Sequence, residues 1–166
     1  MIDYKIVDNF LDQEKFNDLV SRTIGSNAFP MYYNHYVSRK ENNDGSYFTH
    51  TICRDGEVTS SIYDYIFSLM TEKIYFDKIY RIQFNLYPKT FFRKKHSFHV
   101  DYEFPHKACI LYLNTNNGKT ILKNKPFNTH VDSISNRVLF FDASLEHRST
   151  TCTDSEFRSN IIFNYA

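Results

Sequence analysis

The stretch Arg81–Tyr87 alternates without a break, and no other feature constrains the fold as tightly. Ile82, Phe84 and Leu86 fall on one side and Arg81, Gln83, Asn85 and Tyr87 on the other. A period of two is the signature of a strand whose opposite faces meet different surroundings. One face must meet an apolar layer; the other must meet water, either outside the protein or in a polar cavity within it. The closing stretch 157–165 repeats the pattern, with Arg158, Asn160, Ile162 and Asn164 facing one way and Phe157, Ile161, Phe163 and Tyr165 the other.

Further strands are expected at residues 98–101, 108–113, 120–122 and 137–142, and upstream at 3–8, 31–38 and 47–54. Two helices interrupt them. Asp12 can cap the first, which carries Phe16, Leu19, Val20 and Ile24 on one face; the second is expected to begin near Thr59 or Ser60, with Ile62, Ile66, Leu69 and Met70 as its apolar stripe. No linker or repeat divides the 166 residues, so a single domain is expected. Residues 1–75 would supply a helical buttress and outer strands, and 76–166 the core. Helices followed by a run of short strands point to a mainly β sandwich or barrel with helices against one sheet. An aromatic content of 17%, all Tyr and Phe, fits that class because ring faces pack well on a pleated surface.

Charge and cysteine content exclude more than they select. A net charge of +1 gives no reason to expect nucleic acid or a membrane surface as partner. Cys53, Cys109 and Cys152 are odd in number and widely spaced, which argues against a zinc knuckle or a disulfide framework and for a reducing compartment. No apolar run approaches the roughly 20 residues that span a bilayer, and no signal peptide is visible, so a soluble cytoplasmic protein is expected. The bias towards Asn, Lys, Ile, Tyr and Phe fits an AT-rich genome such as a phage's, in which case the compartment is the host's cytoplasm.

His99-Val-Asp101 carries the chemistry. Residues i and i+2 of a strand share a face, so an imidazole and a carboxylate there can bind one ion, and a distant third ligand would complete a two-His, one-carboxylate facial triad with open positions for cosubstrate and O2. Alone the motif says little, since its chance occurrence is about one in three from composition. Indeed His130-Val-Asp132 repeats it. The separation of 46 residues from Asp101 to His147 leaves room for the strands that return across a barrel, whereas the 15 residues from Asp132 to His147 allow only a hairpin. His99, Asp101 and His147 are therefore the expected metal ligands, and His130 and Asp132 surface loop residues. Arg158 begins the inward face of the last strand, where a guanidinium is costly to bury unless it meets a carboxylate. A dicarboxylate cosubstrate supplies one, and guanidinium grips it bidentately.

These segments resemble a known family. "NLYPKTFFRKKHSFHVDYEFPHKACILYLNTNNGKTIL" (85–122), "NRVLFFDASLEHRS" and "RSNIIFNYA" are similar to the prolyl 4-hydroxylase-like 2-oxoglutarate/Fe(II) oxygenases, phage-encoded members included. Roughly the C-terminal half carries the likeness; "VDNFLDQEKFNDLV" matches only in style. The resemblance implies a double-stranded β-helix, the cupin-like jelly-roll barrel. It implies Fe(II) on His99, Asp101 and His147, with 2-oxoglutarate held by Arg158 and the hydroxyls of Tyr87 and Tyr112. The implied activity is a dioxygenase hydroxylating an organic substrate with release of succinate and CO2, ascorbate serving as a supporting reductant. A prolyl or other protein side chain is the first substrate expected, a free amino acid or small metabolite the second, and a jelly roll that binds metal or ligand without turnover the third reading. Strand faces nominate Gln83, Asn85, Tyr102 and Asn160 as substrate-facing. The chain departs from the family by having only Gly118 where relatives have paired glycines. Asn164 stands where the nucleic-acid demethylases carry a second Arg, which disfavours base repair. Asp101 disfavours halogenation, which needs that ligand replaced by a small residue.

Overall fold

The computed structural model describes residues 4–38 and 40–166. In chain order the elements are β1 (Tyr4–Val7), α1 (Gln13–Arg22), β2 (Tyr32–Asn34), β3 (Tyr47–Arg54), β4 (Glu57–Val58), α2 (Tyr63–Thr71), β5 (Ile79–Pro88), β6 (Lys107–Tyr112), β7 (Asn116–Leu122), β8 (Thr129–Ser133), β9 (Val138–Asp142), β10 (His147–Ser149) and β11 (Phe157–Tyr165). Seven strands follow one another across a large antiparallel sheet in the order β1-β9-β6-β11-β5-β3-β2, with β4 paired to β3 at its end; β10-β7-β8 form a small sheet. Strands from the first 75 residues thus belong to the same sheet as those from the last 90 or so, since β1 pairs β9 and β3 pairs β5.

The period-two pattern explains the layering. On one face of the large sheet Ile82, Phe84, Cys109, Leu111, Val138, Ile161 and Phe163 are buried, and α1 and α2 cover them with Phe16, Leu19, Ile66, Leu69 and Met70. Between these residues in sequence, Ala108, Ile110, Tyr112, Leu139, Phe141 and Ile162 point the other way and meet Leu122 and Val131 of the small sheet. Central strands are therefore apolar on both faces, as two-sided burial requires. The inner face turns polar on β5 and β11 and on the neighbouring β3, where Thr49 and Thr51 stand opposite Asn85 and Gln83, and there the two sheets enclose a cavity instead of a core. The jelly roll is present, but its two sheets are not closed into a barrel: they face each other across the inner cluster, and isolated bridges pair Lys95 with Thr150 and His99 with His147. Among the described residues no helix is long and apolar enough to cross a membrane.

Several boundaries differ from expectation. Residues 98–101 do not form a strand: His99 makes a single reciprocal bridge with His147, N–H to O distances being 3.0 and 2.9 Å, and the chain bends away at Asp101. His130 and Asp132 are exposed, but in β8 and not in a loop, and Asp132 pairs with Lys119 of β7. The second helix starts at Tyr63 because Thr59 is still held to β3, its N–H donating to Ile52 O at 3.0 Å, and Ser60 Oγ is engaged by His50 Nε2 at 2.7 Å. The strand expected over 31–38 is only Tyr32–Asn34; Tyr36, Val37 and Ser38 instead turn over the cavity mouth. Residue 3, part of the expected first strand, lies outside the described residues.

Candidate metal centre and its cavity

His99, Asp101 and His147 offer one ligand atom each, all within 4.8 Å of one another. Asp101 Oδ1 lies 3.8 Å from His99 Nε2, and Oδ2 lies 3.8 Å from His147 Nε2. The tautomers follow from the other ring nitrogens. His99 Nδ1 is 3.2 Å from Ser97 O and His147 Nδ1 is 3.0 Å from Leu145 O. A carbonyl can only accept, so each Nδ1 carries a proton and each Nε2 is the ring nitrogen turned to the centre. Burial keeps His147 below the usual imidazole range, although the neighbouring Asp101 partly opposes it. Two imidazole nitrogens and a carboxylate oxygen make a donor set suited to Fe(II), Zn(II) and their neighbours, and an open face is the mark of the oxygenase triad.

Asp101 is held by two residues that sequence reasoning did not assign. Arg81 Nη2 lies 2.8 Å from Oδ1, and Asn164 Nδ2 donates to Oδ2 at 2.8 Å. Arg81 Nε in turn donates to Asn164 Oδ1 at 2.9 Å, closing a ring of three side chains. Arg81 and Asn164 are register partners on β5 and β11, so the pleat delivers both to the same spot. Burial alone would raise the Asp101 carboxyl. The Arg81 guanidinium, then His147, His99 and the Asn164 amide, outweigh it and hold the group well below the usual carboxylate range. The carboxylate is thus ionised and aimed before any ion arrives, which is what supporting partners do for metal ligands.

The triad opens into a cavity of about 340 Å³ whose lining includes Gln83, Asn85, Tyr87, Arg158 and Asn160. Of the expected substrate-facing residues, Gln83, Asn85 and Asn160 line it. Tyr102 does not: beyond the bend its ring packs with Tyr80, Phe104 and His106, because the chain leaves the strand geometry on which its assignment rested. Tyr112 is fully buried behind the lining, its hydroxyl donating to Thr120 Oγ1 at 2.7 Å. Tyr87 stacks between Tyr47 and His96. Burial, then the charge of Arg158, push His96 down to about 4, so that the imidazole against Tyr87 is neutral.

Arg158 is 1% exposed, and among the described residues no carboxylate pairs with it. Nε donates to Ser133 Oγ at 2.7 Å and Nη2 to Thr120 Oγ1 at 2.9 Å, while Nη1 is buried without a partner. The guanidinium also lies 5.3 Å from the Tyr87 ring centre and 5.6 Å from that of Tyr112. A buried charge supported only by hydroxyls and ring faces is expensive to keep unless a ligand completes it. Gly118 explains how the guanidinium fits: a Cβ there would stand 2.5 Å from Arg158 Cδ, 2.8 Å from Asn116 Oδ1 and 3.1 Å from Thr151 O. Gly118→Ala is accordingly expected to displace Arg158 and cost about 1–3 kcal/mol by overpacking. Denaturant titration of the ligand-free protein checks the second effect.

Neither a family model nor a curated protein sequence matches the chain. Solved structures do. An oxidoreductase of the 2OG-Fe(II) oxygenase family from Burkholderia pseudomallei superposes with TM-score 0.77 at 10% identity, over 98% of this chain and 84% of that one. The fold is that of the 2OG-Fe(II) oxygenases. A Pseudomonas putida prolyl-4-hydroxylase shares this oxygenase fold with TM-score 0.66 and 11% identity, covering 98% and 91% of the two chains. A Trichoplax adhaerens prolyl hydroxylase, solved with a peptide fragment of the hypoxia-inducible factor oxygen degradation domain, does so with TM-score 0.65 and 16% identity, covering 98% and 82%.

Proposed function

We propose that the protein is an Fe(II)- and 2-oxoglutarate-dependent dioxygenase that hydroxylates an organic substrate. One observation carries the reading: a buried, incompletely partnered guanidinium and a His-Asp-His triad open into the same cavity. The orphaned Arg158 Nη1 fits a distal carboxylate, and the donor set fits the ion. His99, Asp101 and His147 would hold the iron, with Arg81 and Asn164 fixing the carboxylate. Arg158 would grip 2-oxoglutarate, and Thr120 and Tyr87 would flank it. When bound, the iron and cosubstrate supply the oxidising power, turning O2 and 2-oxoglutarate into succinate, CO2 and a transferred oxygen atom. The chain's own part is to hold Asp101 ionised and the two imidazole Nε2 atoms towards the ion, to orient the cosubstrate, and to shield the reacting atoms from water with Tyr36, Val37 and Ser38.

A prolyl side chain of a peptide is the substrate suggested by the sequence resemblance and by the Trichoplax hydroxylase's bound peptide. A free amino acid or other small metabolite is the second reading, favoured by the many guanidinium groups of the cavity wall. The test is incubation with Fe(II), ascorbate and 2-oxoglutarate, followed by measurement of succinate and of cosubstrate binding. Slow uncoupled succinate formation is expected. His99→Ala should abolish metal binding and turnover, and His130→Ala should leave both unchanged. A folded protein with neither cosubstrate binding nor succinate formation would instead be a binding module without turnover.

A further inference from the structure

Three arginines face the cavity, Arg54, Arg81 and Arg158, against one carboxylate, Asp101. Arg148 borders it too, but His147 and Ser149 take the inner face of β10, so its side chain points to the other face, over the Phe98 ring. The two positive charges of a ferrous ion and the two negative charges of 2-oxoglutarate cancel. The loaded site therefore keeps the excess of three cations over one anion. Arg81 is spent on Asp101, and Arg158 on the cosubstrate, and among the described residues Arg54 forms no ion pair.

Arg54 is exposed and lines the cavity, so an entering ligand can reach it. Arg54, the last residue of β3, sits directly opposite Arg81 of β5 in the sheet register. Like charges facing across a strand pair repel. Glu57, its register partner on β4, makes no ion pair with Arg54 among the described residues; Arg54 Nη2 donates instead to the neutral Gln83 Oε1, at 3.2 Å.

Arg54 also sets the polarity of the wall. A guanidinium can only donate, so Gln83 must turn its oxygen towards Arg54 and its Nε2 inward. That Nε2 donates to Asn85 Oδ1 at 2.8 Å, and Asn85 Nδ2 donates to Asn160 Oδ1 at 3.1 Å. Asn160 is left with Nδ2 as its free group on the cavity lining, with no protein acceptor among the described residues. The chain of amides begins and ends on donors.

We infer that the substrate is a small organic acid whose anionic group is held by Arg54 and whose body accepts a hydrogen bond from Asn160. A volume of about 340 Å³, shared with the cosubstrate, suits a molecule of amino-acid size. The inference rests on the oxygenase reading for the assignment of Arg158. Carboxylate and phosphate share the required chemistry, and the test separates them.

The probes are matched pairs: N-acetyl-L-proline against its neutral amide, which stands for a prolyl residue inside a peptide, and glycerol 3-phosphate against glycerol. Binding is measured by ligand-observed NMR on the full chain loaded with Mn(II) and 2-oxoglutarate without oxygen. The acid of at least one pair is expected to bind about tenfold more tightly than its neutral partner. The pair showing the larger ratio identifies the group. Arg54→Gln should bring that ratio towards one, and Arg54→Lys should keep most of it. Equal binding within both pairs, tighter binding of the neutral members, or no binding by any of the four overturns the inference. Failure of 2-oxoglutarate itself to bind overturns the oxygenase reading instead, and the acid-to-neutral ratio then still reports the charge preference of the cavity.

Discussion

Replacing Arg158 by Met is expected to make the ligand-free protein more stable while removing most of its response to 2-oxoglutarate. The side chain is among the largest that are fully buried, and its Nη1 has neither protein partner nor solvent contact. Exchanging buried charges for apolar volume stabilises by about 1–4 kcal/mol where this has been measured. Ser133 Oγ would lose its guanidinium partner, at about 1 kcal/mol, and Thr120 Oγ1 would keep the Tyr112 hydroxyl. The balance is a Tm higher by a few degrees. Losing one partner of a buried charge pair costs roughly 2–5 kcal/mol, so cosubstrate affinity should fall at least on the order of thirtyfold. Thermal unfolding with and without 2-oxoglutarate, at saturating Mn(II), reads both effects: the wild type should gain about 2.7 kcal/mol at a hundredfold excess over its Kd, and the variant at the same concentration no more than about 0.9 kcal/mol. A less stable Arg158→Met protein that still responds fully to 2-oxoglutarate would show that the guanidinium is structural.

The same residues show what the sequence could and could not reveal. The faces of β5 and β11 were legible because a one-residue slip in a strand buried on one side would invert every side chain. His99, Asp101 and His147 were legible from their order and spacing. The reason given for His99 and Asp101 was nevertheless wrong, since they do not share a strand face. A single bridge to His147 and the pull of Arg81 and Asn164 bring the carboxylate round, and Tyr102 is carried away by the same bend. That partnership needs the β5–β11 register, which joins residues 83 apart in sequence and has no local signature. Gly118 was visible as a departure from a glycine pair, but its cause is the approach of Arg158 from another strand. Closure of the barrel was likewise not legible, because it depends on whether the margins of two sheets meet, and here no ladder joins them among the described residues.

Asp101→Ala should have the largest effect on the ligand-free fold. The side chain of Arg81 is only 15% exposed, and without the carboxylate it keeps just the Asn164 oxygen and the Tyr102 ring, whose centre is 5.9 Å away. Breaking a buried ion pair by removing one member costs about 3–5 kcal/mol, mostly because the other charge stays buried. For a domain of this size that is a fall in Tm of roughly ten degrees, together with loss of metal binding. The double variant Arg81→Met/Asp101→Ala separates the two consequences: stability should return to within about 1 kcal/mol of wild type, since no charge is left stranded, while metal binding stays lost. If the double variant is as unstable as Asp101→Ala, the stranded guanidinium is not the cause. If Asp101→Ala alone costs under about 1 kcal/mol, the pair behaves like a surface ion pair, and Arg81 is not what holds the ligand in place before the ion binds. The expected result makes Arg81 a positioning residue, one whose desolvation is tolerated because an ionised, aimed carboxylate is what the centre needs.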